Sequence, residues 1–122
     1  MKKYNKDIGN EGEFLAKEFL CKKGYNIKES NYRCPLGEID IILSKDNILC
    51  FVEVKSRYNL NYGYPMEAVT HKKLNRIYKI CNWYLLENKI NNLNIRFDVV
   101  EIIFSINDNS YKINHLENVY SI

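Results

Sequence analysis

No stretch of this sequence approaches the ~18 consecutive apolar residues that a membrane-spanning helix needs. The basic start, Met1-Lys2-Lys3, is not followed by an apolar region, so no secretory signal is expected. The four cysteines, Cys21, Cys34, Cys50 and Cys81, form no Cys-x-x-Cys pair, and neither His71 nor His115 stands at a zinc-finger spacing from them. A structural zinc site is therefore not expected, and a reduced, cytoplasmic setting fits unpaired thiols. There is no internal repeat and no low-complexity tract. Net charge is small as well, at +3, and by itself points to no class of partner.

What is there is ordinary for a folded chain: 122 residues, 46% hydrophobic and 27% charged. That is enough for one domain, residues 1–122, and too little for two. Residues 9–23 read as an amphipathic helix, with Ile8, Gly12, Leu15, Ala16, Phe19 and Leu20 on one side and Gly24 as its stop. Tyr25–Glu29 reads as a short strand, and Asn31–Gly37 as a loop because it holds Pro35 and Gly37. Glu38–Lys45 and Ile48–Arg57 read as strands. Asn59–Pro65 reads as a loop, and Met66–Glu87 as a second helix with Pro65 near its first turn. Ile95–Phe104 and Tyr111–Val119 complete the series, the last as an edge strand. The order α-β-β-β-α-β-β predicts an α/β fold, with a mixed sheet flanked by helices.

Chemistry concentrates in Gly37-Glu38-Ile39-Asp40 and Phe51-Val52-Glu53-Val54-Lys55. Strand side chains alternate faces, so Glu38 and Asp40 share one face, as do Glu53 and Lys55. Asp46-Asn47 suits a two-residue hairpin turn, since both types tolerate a left-handed backbone. Lys45 then faces Ile48, and Asp40 falls opposite Glu53. Two carboxylates so placed repel unless a cation or a lysine compensates, and they can share one hard divalent ion.

These residues resemble the YraN family of small bacterial proteins, which is similar to archaeal Holliday-junction resolvases within the restriction-endonuclease-like superfamily. The resemblance rests on five ordered blocks: Gly9-Asn10-Glu11-Gly12-Glu13, Asn31-Tyr32-Arg33 with Gly37-Glu38-Ile39-Asp40, Phe51 to Arg57, Tyr62-Gly63-Tyr64-Pro65 with Ala68, Val69 and Lys73, and Arg96 to Val100. It implies a single restriction-endonuclease-like domain with an αβββαβ core, and a Mg²⁺- or Mn²⁺-dependent endonuclease of the PD-(D/E)xK type. Asp40 and Glu53 would be metal ligands, Lys55 the catalytic lysine and Glu13 a further acidic residue of the site. Glu38 would support the ligands from behind. The superfamily's nominal proline before the aspartate is Ile39 here. DNA is the implied partner, with branched or otherwise structured substrates implied by analogy only; no membrane is implied, and resolvase-like proteins are often homodimers.

Other residues carry weaker signals. Glu13 lies at the border of the buried helix face. Lys73 falls inside the apolar arc of Val69, Ile77, Ile80 and Cys81, where an ammonium needs a partner or a route to water. Lys72, Arg76 and Lys79 share a polar face that could track phosphates or merely be solvated. Arg33, Arg57, Tyr58, Tyr62 and Tyr64 are candidate DNA or partner contacts. Asp98 and Arg96 face the same way and predict an internal salt bridge. His71 and His115 are expected at the surface. The rival reading is a nucleic-acid-binding or adaptor protein that keeps a nuclease fold without turnover.

Overall fold

The computed structural model describes residues 7–59, 71–91 and 94–119. Its elements are α1 (Asp7–Lys22), β1 (Asn26–Cys34), β2 (Gly37–Lys45), β3 (Ile48–Tyr58), α2 (His71–Glu87), β4 (Asn94–Phe104) and β5 (Tyr111–Leu116). The expected loop with Tyr62, Tyr64 and Pro65, and the helical start from Met66, lie outside the described residues. So does the side chain of His71.

The five strands form one sheet in sequence order, antiparallel throughout except for β3 and β4, which run parallel. A parallel pair needs a crossover, and α2 lies within it. The result is the αβββαβ core, with one further edge strand.

Each face of the sheet is covered by one helix. Ile42, Leu49, Phe51, Phe97 and Val99 pack beneath Ile77, Ile80, Cys81 and Tyr84 of α2. Ile41, Leu43, Cys50, Val52, Val100 and Ile102 pack beneath Ala16 and Leu20 of α1. Full burial of a side chain such as Leu20 or Phe51 stabilises by about 1.5–3 kcal/mol relative to exposure. Helix α1 ends as its sequence predicts: Gly24 takes φ 97°, and the Tyr25 N–H donates to the Leu20 carbonyl at 3.1 Å.

The hairpin turn also forms as predicted. Asp46 takes φ 54°, and Lys45 pairs with Ile48. The strand before it runs further than the sequence suggests. Residues 31–34 continue β1 instead of opening a loop, and only Pro35 and Leu36 turn. The register shift of this ladder lies earlier, between Ile27 and Glu29; Asn31 takes φ 53°, and Tyr32 anchors the extension. Its ring meets Tyr84 edge-on at 5.1 Å, and its hydroxyl donates to Glu87 Oε1 at 2.8 Å.

Among the described residues, no helix is long and apolar enough to cross a membrane.

Candidate active site

Asp40 sits where the β2 ladders are interrupted. Pairing with β1 passes from Ser30↔Ile41 to Tyr32↔Ile39 and skips the Asn31–Asp40 step. Pairing with β3 ends at Ile41↔Val52, one step before Asp40 would meet Glu53. The alternation breaks here too: Ile39 and Ile41, two residues apart, belong to the cores on opposite faces. The hairpin register is therefore the predicted one, but Asp40 and Glu53 are not ladder partners. Instead the Asp40 carboxylate reaches across, and its Oδ2 accepts the Val54 N–H at 2.8 Å.

β3 supplies the other half. Glu53 and Lys55 alternate with Phe51 toward the α2 side. Lys55 Nζ lies 3.5 Å from Glu53 Oε2, and Lys73 Nζ of α2 lies 3.5 Å from the same oxygen. All three side chains keep partial access to water, at 31%, 24% and 35% exposure for Lys55, Glu53 and Lys73. The position of Lys73 inside an apolar arc is thus explained by a carboxylate partner.

Asp40, Glu53, Glu38, Lys73 and Arg76 line one cavity of about 420 Å³, floored by apolar side chains that include Ile77 and Phe97. A second hollow of about 400 Å³ is lined by Lys72, Lys73, Arg76 and Lys79, with Leu36 at its side. Lys73 and Arg76 belong to both. A run of cations therefore leads directly to the carboxylates.

Burial pushes the Asp40 carboxyl up to about 6, against the opposing Val54 hydrogen bond, and the charges of Glu13, Glu53 and Glu38 push the same way. Glu13, half-buried on α1, is thus near enough to be felt. Its neighbour Gly12 shows why the helix can come so close. A Cβ at Gly12 would stand 1.9 Å from Ser56 Oγ on β3.

The donors suit a hard divalent cation. Asp40 and Glu53 offer carboxylate oxygens in a pocket with surplus negative charge, which is the condition a bound cation relieves. Among the described residues, no three His, Cys, Asp or Glu side chains converge into a closed ligand set. Two carboxylates with room for water fit Mg²⁺, which keeps several of its own waters, better than a closed tetrahedral zinc centre.

The remaining sequence candidates divide. Arg33 pairs with Glu38 at 3.4 Å, both well exposed. Arg57 turns inward, and its Nε donates to Glu101 Oε2 at 3.1 Å. Glu101 was not anticipated: its side chain is fully buried, and Asn114 Nδ2 also donates to it at 3.3 Å.

On the opposite face, Asp98 and Arg96 form the predicted salt bridge through two bonds of 2.9 Å. His115 departs from expectation. Its side chain is 4% exposed, because β5 pairs it with Val100 beneath the end of α1. There its Nε2 lies 2.7 Å from Asp98 Oδ2, with Phe19 and Tyr25 edge-on to its ring. Arg96 also donates to the Tyr25 hydroxyl. The strand pattern hinted at Asp98; nothing local marked His115 or Glu101, whose burial comes from strand pairing.

The model of the uncharacterised protein family UPF0102 matches residues 12–102. The chain belongs to UPF0102, the YraN family that its motifs resemble. UPF0102 proteins of Clostridium perfringens and Clostridium beijerinckii are 48% and 46% identical to it over 122 residues, covering all of this chain and 100% and 99% of theirs. A UPF0102 protein of Clostridium novyi is 44% identical over 120 residues, or 98% of this chain and 100% of its own. The UPF0102 match spans Glu13, Asp40, Glu53, Lys55, Lys73, Arg76 and Glu101, the whole of the site just described.

Proposed function

We propose that this UPF0102 protein is a divalent-metal-dependent nuclease that hydrolyses phosphodiester bonds in DNA, with branched or otherwise structured DNA as its substrate. The observation that carries the reading is the convergence of Asp40, Glu53 and Lys73 on one cavity, continuous with the cationic hollow of Lys72, Arg76 and Lys79. The preference for structured DNA comes from family analogy and not from the cavity's shape.

In this reading Asp40 and Glu53 hold Mg²⁺ or Mn²⁺. When bound, the ion supplies Lewis acidity toward the scissile phosphate and makes water a better nucleophile. The Val54 N–H restrains the Asp40 carboxylate, so one ligand is oriented before any ion arrives. Lys55, held beside Glu53 as an ammonium, orients the attacking water and offsets the negative charge that develops as it is deprotonated. Lys73 offsets negative charge at the same Glu53 oxygen. Arg76, Lys72 and Lys79 draw the sugar–phosphate backbone toward the cavity, and exposed Arg33 can extend that contact.

The test incubates pure protein with linear, single-stranded, flap and four-way DNA, with Mg²⁺ or Mn²⁺ and with chelator. Metal-dependent cleavage of at least one form is expected, and it disappears in Asp40→Ala, Glu53→Ala and Lys55→Ala while folding persists. Cleavage that survives Asp40→Ala sinks the site assignment. Tight binding of DNA with no cleavage by wild type turns the reading into that of a binding or adaptor protein.

A further inference from the structure

Lys55 has two carboxylates within its neighbourhood, and only one of them belongs to the cavity. In the parallel β3–β4 ladder its partner is Glu101, and Glu53 stands beside Val99 two residues earlier. Glu101 lies between Val100 and Ile102, both on the α1 side, so its own side chain faces the α2 side together with Lys55. Paired strands run only ~4.8 Å apart, well within the reach of a lysine stem. Yet the ammonium of Lys55 is found at Glu53.

The reason lies two residues along the same strand. Glu101 is fully buried, and a buried carboxylate must be matched by a cation or by strong donors. Arg57 fills that need through its Nε, and Asn114 takes the other oxygen. Arg57 is only 23% exposed, and the planar guanidinium meets the carboxylate in a fixed orientation that an ammonium would not keep. With Glu101 satisfied, the Lys55 ammonium is left to Glu53.

We propose that Arg57 is a positioning residue: by occupying Glu101 it keeps Lys55 committed to the Glu53 side of the site. The inference rests on the nuclease reading given above. It makes Arg57 necessary for cleavage without any contact with DNA, and it makes the need conditional on Glu101. Remove Arg57 alone, and the buried carboxylate recruits its ladder partner. Remove the charge of Glu101 as well, and nothing draws Lys55 away.

The experiment compares wild type, Arg57→Met, Glu101→Gln and the double variant, by crystal structure and by the cleavage assay. In Arg57→Met, Lys55 Nζ is expected within ~4 Å of Glu101, the range of an ion pair, and cleavage falls ~100-fold, the low end for loss of one electrostatic donor. The double variant holds no buried charge at this position. Its Lys55 returns to Glu53, and cleavage recovers to within ~3-fold of wild type, a coupling that independent sites would not show. Lys55 remaining at Glu53 in Arg57→Met overturns the proposal. So does a double variant as inactive as the single one, which is the result of direct contact between Arg57 and substrate. Should Arg57→Met fail to fold, the double variant decides by the same criterion. Should wild type cleave no DNA, the nuclease reading fails, and the position of Lys55 in the variant structures still judges this inference.

Discussion

The Asp40 carboxylate accepts the backbone N–H of Val54, the residue that follows Glu53, at 2.8 Å. Through that bond an aspartate of β2 is fastened to the strand carrying the second acidic residue, at the point where the β2–β3 ladder stops. A side chain has taken the role of the next ladder rung. The arrangement holds two carboxylates near each other with no backbone pairing between them, and it concentrates negative charge in the unliganded protein.

That concentration predicts the behaviour of Asp40→Asn. Burial, followed by Glu13, Glu53 and Glu38, raises the Asp40 carboxyl from 3.8 to about 6. A raised folded-state value means that folding favours the protonated form. The favourable contribution is complete below about pH 4 and is lost as pH climbs through 6. At pH 8 with chelator, Asp40→Asn is therefore expected to be more stable than wild type, by ~1–2 kcal/mol once solvent screening is discounted. The difference closes toward pH 4. Saturating Mn²⁺ reverses the order, since wild type gains ~2.7 kcal/mol at a hundredfold excess over Kd and the amide forfeits most of that. Thermal melts across pH, with and without metal, measure both effects. A variant less stable than wild type at pH 8 in chelator contradicts the prediction.

The cationic run makes a separate forecast. Lys72→Ala with Arg76→Ala is expected to weaken DNA binding at low salt and to flatten the slope of log K against log salt by up to ~2, because fewer counterions are released. Fluorescence anisotropy over a salt series reads the slope. An unchanged slope means that this face is merely solvated.

At Gly12, helix α1 lies directly against Ser56 of β3. In Gly12→Ala the new methyl would meet Ser56 Oγ at 1.9 Å, so a loss of ~1–3 kcal/mol is expected from overpacking. Combining it with Ser56→Gly should restore part of the loss, as measured by urea midpoints. Simple additivity of the two changes would show that the clash is relieved elsewhere.

Asp98 titrates with the opposite sign to Asp40. Burial pushes its carboxyl up, but His115, Arg96 and the Asn118 N–H overcome it and hold the group well below the ordinary range. Its contribution is present above about pH 4 and is lost as pH falls. Asp98→Asn is expected to cost ~3–5 kcal/mol at neutral pH, because Arg96 loses its buried charge partner and keeps only the exposed Glu117 at 4.0 Å. Urea unfolding at pH 7 tests the size; a loss under 1 kcal/mol would mean that the remaining hydrogen bonds suffice (about the value of one such bond).

Much of this was legible in the sequence, and the exceptions have physical causes. Asp46-Asn47 fixed the register of β2 and β3 because a two-residue turn leaves few choices. Lys73 betrayed its partner by standing inside an apolar arc. The opening of the ladder at Asp40 was not legible; it lies opposite a left-handed residue, Asn31, on the neighbouring strand. Pro35 and Gly37 made residues 31–34 look like a loop when their register to β2 carries them on as strand. His115 and Glu101 are hidden by pairing with β4, and nothing in their immediate neighbours records which strand will lie beside them.

The order in which strands are joined divides the site in time. Asp40 and Glu53 sit on two strands linked by a two-residue turn, so the loop that must close to bring them together is short. Lys73 and Arg76 arrive with α2, and Val99 and Glu101 with β4, across the long crossover of the parallel pair. Local hairpins close ahead of such distant pairings. The carboxylates and Lys55 are thus brought together early, while Lys73 and Arg76 wait for the slowest contact of the fold. Pulse-labelled hydrogen exchange, protecting the Val52 amide before that of Val100, whose side of β4 faces β3, is the signature of this sequence.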